Sequence, residues 1–556
     1  MRFHGLWFAA WTSIAAVLAT GTAEATTTIL VGGRIHTLDP SHPDASAMAW
    51  EDDGRIVAVG ERAEIEARFP GAPRVDAGGA TVLPGLIDAH GHVLGLGFSL
   101  LQADVGGARS KGEVVDRLRR FAADLPKGEW LLGRGWDQNL WPEKAFPTAA
   151  DLDEVFPDRP VWLRRVDGHA AWANTAALRL VKRDLGGDWQ PPGGRIERKN
   201  GKATGVFVDG ATSLVEAVVP HPSPELTERA YRAAFAEAVR QGLTGVHDAG
   251  VSLDDLRALR KLADAGELPL RIAAMADGDH AALAWLCKEG RYAHPSGRLQ
   301  MRAVKLYADG ALGSRGAALL ADYTDDPGNR GLFLTAPDAY RRAVQTAARC
   351  GVQVATHAIG DRGNRLVLDT YAAVLGAKAA EDHRWRVEHA QIVALEDIPR
   401  FAQLHLVASM QPTHATSDMP WAEARVGPDR IRGAYAWQRF IAAGVPLALG
   451  SDFPVEHVSP MLGIYAAVTR KDLDGNPPRG WLPDQRLSRQ QAVLGFTRDA
   501  ARAAFMENEV GTLRPGLRAD FVILDADPLT VQPARRIAAI TVKSTWVDGK
   551  PVYRAP

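Results

Sequence analysis

Thr81-Val82-Leu83-Pro84-Gly85-Leu86-Ile87-Asp88-Ala89-His90-Gly91-His92 is an apolar run punctuated by Pro and Gly that ends in two histidines one residue apart. The run reads as a buried strand. Residues two apart on a strand point to the same side, so both imidazoles can face one metal ion. Alone the pair is weak, because an exposed loop accounts for a His-x-His more readily.

Outward from this stretch the chain alternates helical and apolar strand segments. Ser223-Pro224 opens a helix to about Arg240, followed by Leu243–His247; Thr335 is the expected N-cap of a helix over Ala336–Cys350, with Gly351 as its stop before Val352–His357. Val393–Leu404 precedes His405–Met410, and Trp437–Ala443 precedes Val445–Ser451. Such alternation predicts parallel strands joined by crossover helices. Strand candidates near 83–89, 161–166, 243–248, 271–276, 300–307, 352–357, 384–389, 405–410 and 445–451 suffice for a (β/α)8 TIM barrel, with one to spare. The stretch over 93–222 is too long for a connecting loop and reads as an insertion near the barrel mouth.

Both ends have a different texture. Residues 26–82 and 510–556 carry short alternating runs separated by Gly and Asp turns, which predicts one discontinuous β-sandwich built from both ends around a barrel over 83–509. Residues 1–25 are set apart: Arg2 precedes an apolar stretch ending in Ala23-Glu24-Ala25, the pattern of a cleaved secretory signal. The expectation is an exported, periplasmic or secreted protein with no stable membrane span after cleavage. Cys287 and Cys350 lie on helix-like segments and read as two unpaired buried thiols, although an oxidising compartment would permit a bond.

The 556 residues are 46% hydrophobic and 24% charged, and 65 Lys+Arg nearly cancel 66 Asp+Glu. That balance gives no footprint for nucleic acid and directs attention to a small-molecule substrate. No Walker-type loop or dinucleotide fingerprint is present. The charge leaves a homodimer open.

A barrel places its active site at the C-terminal ends of its strands. There the chain sets His357 after VQVAT, His389 after RVE and Asp452 after LALGS. Each alone would read as a hydrogen-bonded strand end; the joint pattern points to a metal centre. Lys305 interrupts the apolar strand MRAVKLY, where an ammonium group needs a partner or a lowered pKa. A deprotonated lysine amine can take up CO2 to form a carbamate, an anionic ligand able to bridge two ions.

His90-x-His92 after PGLID, Lys305 in KLYADGALGSR, His357 in THAIGD, His389 in RVEHAQ and Asp452 in GSDFPV together resemble the amidohydrolase superfamily, more narrowly its YtcJ-like branch of metal-dependent hydrolases. The resemblance spans nearly the whole chain beyond residue 25. It implies a distorted TIM barrel with a β-sandwich and a metal centre, usually zinc. It implies that His90, His92 and Asp452 hold a first ion, that His357 and His389 hold a second, and that carboxylated Lys305 bridges them. Metal-bound hydroxide would attack, with Asp452 as general base and then acid. The mononuclear alternative surrounds one ion with His90, His92, His357 and Asp452, leaves Lys305 unmodified, and uses His389 to orient water or substrate.

Weaker expectations attach to other residues. His169, in DGHAAW, is expected to touch the leaving group or tetrahedral intermediate. Trp136 and Asp137 in GRGWDQN, and His414 in SMQPTHATSD, are candidates to line the pocket, although an aromatic such as Trp136 is more often a packing residue, and Arg315 is expected to pair with a substrate carboxylate or with Asp309. His247-Asp248 reads as support for the ligands. The function implied is hydrolysis of a C–N bond in a non-peptide amide, formamide or cyclic amide. The alternatives are an esterase, lactonase or phosphoesterase on the same centre, and a carboxylate-based glycosidase, which leaves the His-x-His and Lys305 without a role.

Overall fold

The computed structural model describes Met1 and residues 26–556 apart from 127 and 279, so the leader expected over 1–25 lies, beyond Met1, outside the described residues. Eight parallel strands form the central sheet: β1 (Leu86–Gly91), β2 (Leu243–Val251), β3 (Arg271–Asp277), β4 (Leu299–Tyr307), β5 (Gln353–Ala358), β6 (Arg386–His389), β7 (Val407–Met410) and β8 (Leu447–Leu449). Each pairs with the next in chain order, and the sheet curls into a nearly closed barrel. Strands β5 to β8 are buried at every residue, as expected where helices cover one face and side chains fill the other.

Closure between β8 and β1 uses side chains as well as backbone. Asp452 N donates to His90 O at 2.7 Å, while the Asp88 carboxylate accepts from Ser451 N at 3.0 Å and from the Ser451 hydroxyl at 2.6 Å. Gly450 makes this approach possible, since a Cβ there would meet Asp88 Oδ1 and His90 N at 2.5 Å.

The spare ninth strand belongs to the insertion. Val161–Arg165 sits in a separate six-stranded sheet with Ala103–Asp104, Leu131–Trp136, Ala170–Ala173 and the hairpin Gly194–Lys199/Lys202–Asp209. At the other end of the barrel, Thr81–Pro84 pairs antiparallel with Phe521–Leu524, so one six-stranded sheet draws on both ends of the chain. It packs on the four-stranded sheet containing Thr28–Val31 and Ala47–Trp50, with Trp50, Phe521 and Trp546 in the shared core. Buried Arg271 at the start of β3 ties this unit to the barrel by donating to Asp520 at 2.7 and 2.8 Å. None of the helices among the described residues is long and apolar enough to cross a membrane.

Two local expectations are corrected. The helix after β4 spans Pro337–Arg349 with Ala336, not Thr335, at its N-cap; Pro337 brings a preset φ and no donor to satisfy. Cys287 and Cys350 are not separate thiols but a disulfide, with Cα atoms 5.0 Å apart. Their helices flank neighbouring strands β3 and β4, and each cysteine falls near its helix's C-terminal end, an adjacency that helical periodicity does not reveal. Closing a loop across a sequence separation of 63 should stabilise the fold by about 2–4 kcal/mol. Non-reducing peptide mapping should recover the 287–350 cross-link, and reduction should lower the denaturant midpoint. Free thiols at both positions in protein purified without reductant would contradict the pairing.

Candidate metal centre

Five of the six expected ligand residues end barrel strands or follow them directly, and Lys305 lies within β4. Asp452 is at the centre. Its Oδ1 lies 3.1 Å from His92 Nε2 and 3.5 Å from His90 Nε2, and its Oδ2 lies 3.6 Å from His414 Nε2 and 4.0 Å from His389 Nδ1. The His389 ring is 4.7 Å from the rings of both His90 and His357. Lys305 Nζ approaches His90 Nε2 at 3.1 Å. His389 and Asp452 adopt left-handed backbone conformations (φ 70° and 63°), a conformational cost borne by both at the strand ends.

The donors form two groups around the shared carboxylate, His90/His92/Asp452 and His389/His414/Asp452, each with donor atoms within 4.8 Å of one another. His414 therefore stands closer to the ligand set than its sequence position suggested. Buried His357 Nε2 and His414 Nε2 have no hydrogen-bond partner. His414 Nε2 faces the Asp452 carboxylate, whereas His357 Nε2 lies outside both groups, 3.9 Å from Asp309 Oδ1; the nitrogen and oxygen donors of the two groups fit a divalent cation.

Electrostatics agree with that fit. Burial, helped by Lys305, lowers the His90 imidazole to about 4, and burial also holds His357 and His389 well below the usual histidine range, which favours the unprotonated rings that metal binding requires. Burial pushes the Lys305 ammonium down, only partly opposed by Glu388 and Asp452. Burial disfavours ionisation of Asp452, but the His92 hydrogen bond and the surrounding histidines outweigh it and keep the carboxylate charged.

A second set of side chains fixes these ligands. Glu388 Oε2 lies 2.5 Å from His90 Nδ1, which turns His90 Nε2 toward Asp452 and Lys305. Arg386 holds Glu388 at 2.7 Å and bonds His247 Nδ1 at 2.8 Å, while Gln411 Oε1 accepts from His389 Nδ1 at 2.8 Å. Asp248 accepts from Val93 N at 2.9 Å, fixing the helix Val93–Leu101 behind His92. Sequence reading missed Glu388, Arg386 and Gln411, although the opposite charges flanking Val387 just before His389 were a usable signal.

The centre opens into a cavity of about 1100 Å³ between the strand ends and the inserted sheet. His169 lines it, its ring 5.1 Å from His357 and its Nδ1 2.7 Å from Asp209 Oδ1. Burial opposes its protonation, yet the Asp209 carboxylate outweighs this and raises the imidazole. Asp137 also lines the cavity, ion-paired with Arg165. Two expected lining residues are elsewhere. Trp136 is fully buried in the insertion's core against Trp141 and Trp172, donating to Leu163 O at 2.8 Å. Arg315 pairs with Asp325 at 3.0 Å rather than with Asp309, whose carboxylate accepts from the backbone of Ala318, Ile359 and Gly360.

The model of the Amidohydrolase family matches residues 74–553. The chain belongs to this family. Membership places it among hydrolases of carbon–nitrogen bonds, and a short match to an imidazolonepropionase-like composite domain covers residues 52–72. The chain is 32% identical to the putative amidohydrolase YtcJ of Bacillus subtilis over 94% of its length and 98% of the relative's. It is 29% identical to an N-substituted formamide deformylase of Arthrobacter pascens, over 94% and 97%. An uncharacterised metal-dependent hydrolase of Pyrococcus horikoshii has a similar solved structure, with a TM-score of 0.74 and 28% identity over 91% of this chain and 99% of that one.

Because Glu388 fixes the ring orientation of His90, a candidate ligand, Glu388→Gln should weaken metal binding roughly 10- to 100-fold while the far-ultraviolet spectrum stays native. Competition with a chromophoric chelator measures this. Undiminished affinity would remove Glu388 from the site's construction.

Proposed function

We propose that the protein is a zinc-dependent hydrolase of small non-peptide amides, with N-substituted formamides and cyclic amides as the leading substrate class. The observation that supports this most directly is the convergence of four histidines, Asp452 and a buried amine on one cavity, in a chain similar to a formamide deformylase. His90, His92 and Asp452 would hold one ion. His389 would hold a second with His357, and carboxylated Lys305 would bridge the two; the His389/His414/Asp452 group makes His414 the competing partner for the second position. When bound, such ions supply a water acidic enough to act near neutral pH and a Lewis acid for the carbonyl.

The protein's own groups complete the chemistry. Asp452 is ionised and buried at the centre of the donor groups, so it can accept the proton of the attacking water and return it to the leaving nitrogen. His169, held by Asp209, faces the same space as His357 and can donate to a developing oxyanion or leaving group. Lys305, dry and depressed in pKa, is poised to be the uncharged amine that carbamate formation requires. Export is supported by the leader-like residues 1–25 and by the Cys287–Cys350 bond.

Metal analysis of purified protein, combined with a screen of N-formyl amines, cyclic imides, lactones and simple esters, tests this reading. Chelation should abolish amide hydrolysis and zinc should restore it; preferential turnover of esters or lactones would contradict it. Lys305→Ala should lose one of two ions and at least ~100-fold in kcat. Full metal content with normal turnover in that variant would exclude the bridge. Asp452→Asn should stay folded and lose turnover, and an active variant would remove Asp452 from proton transfer.

A further inference from the structure

Arg134 lies on the inserted strand Leu131–Trp136, in register with Arg164 on the neighbouring strand Val161–Arg165, and both side chains line the cavity. Like charges directly across a sheet repel. Arg164 is relieved by Glu216 at 2.8 Å, but Arg134 has no ion pair among the described residues. Its Nη2 donates to Val166 O at 2.7 Å, while its Nε is buried without a partner. The nearest acid of that loop, Asp167, is committed to Arg165 at 2.5 Å and to His169 N at 3.0 Å. Burial, aggravated by Arg164, lowers the guanidinium to about 10. An unpaired guanidinium held beside a second cation in a cavity wall needs an anion, and its planar fork matches a carboxylate.

We infer that Arg134 is a substrate-recognition residue that binds a carboxylate on the leaving portion of the substrate, which makes N-formyl and related N-acyl amino acids the substrate class. This deepens the hydrolase reading and rests on it. The insertion then supplies selectivity and the barrel supplies chemistry, with His169 on the turn that joins two strands of Arg134's sheet and lines the same cavity.

The test compares N-formylphenylalanine with its neutral carboxamide on zinc-loaded protein. The wild type should favour the anion in kcat/KM by roughly 10- to 100-fold, Arg134→Ala should bring that ratio to within about threefold of unity, and Arg134→Lys should restore part of it. A ratio near one in the wild type, or one unchanged by Arg134→Ala, would overturn the inference while leaving amide hydrolysis intact. If neither compound is cleaved, calorimetric titration with N-formylphenylalanine decides. Binding lost in Arg134→Ala keeps the subsite and fails the hydrolase reading; binding that is absent, or independent of Arg134, overturns the subsite.

Discussion

A carboxylate taken out of water must be matched by its surroundings, and Asp452 is where this protein meets that demand. Its ionised group is buried among four imidazoles, and its backbone is fastened to β1 through His90 O. The same junction closes the barrel, because Asp88 grips Ser451 beside it. Closure and ligand placement are thus one structural event. Gly91 reflects the same constraint: a Cβ there would meet the Phe453 ring at 2.5 Å, so the strand bearing both first histidines can lie against the Asp452 turn only without a side chain.

Behind the ligands, the barrel interior is charged where an ordinary core would be apolar. Arg386 and Glu388 project inward from one strand and pass their order to His247 and His90. Burial alone would disfavour the Glu388 carboxylate, but Arg386, His90 and Lys305 hold it well below its usual range. The network is costly to build in an apolar interior, and its benefit is orientation: it fixes which nitrogen of each histidine faces the cavity.

The barrel was legible because most of its strands are apolar runs separated by capped helices, and the candidate ligands because most of them stand at or just past a strand end, with Lys305 interrupting one instead. The ninth strand, Val161–Arg165, looked the same locally; only its pairing with Leu131–Trp136 assigns it to the insertion. Trp136 and Arg315 were misplaced for a related reason. A motif fixes sequence neighbours, whereas Trp136 is claimed by Trp141 and Trp172, and Arg315 by Asp325 ten residues on. Cys287 and Cys350 required knowing that two helices flank adjacent strands. Arg134 was invisible as well, since a cation is informative only when its missing partner can be seen.

If the strand ends gather these side chains to hold a divalent ion, that ion must be found among them. Anomalous diffraction at the zinc edge, from crystals of protein purified with its own metal, tests this most directly. A peak bounded by His90, His92 and Asp452 is expected, with a second on the His389 side of the carboxylate. Crystals of hydrolytically active protein with no anomalous peak in that space would contradict it.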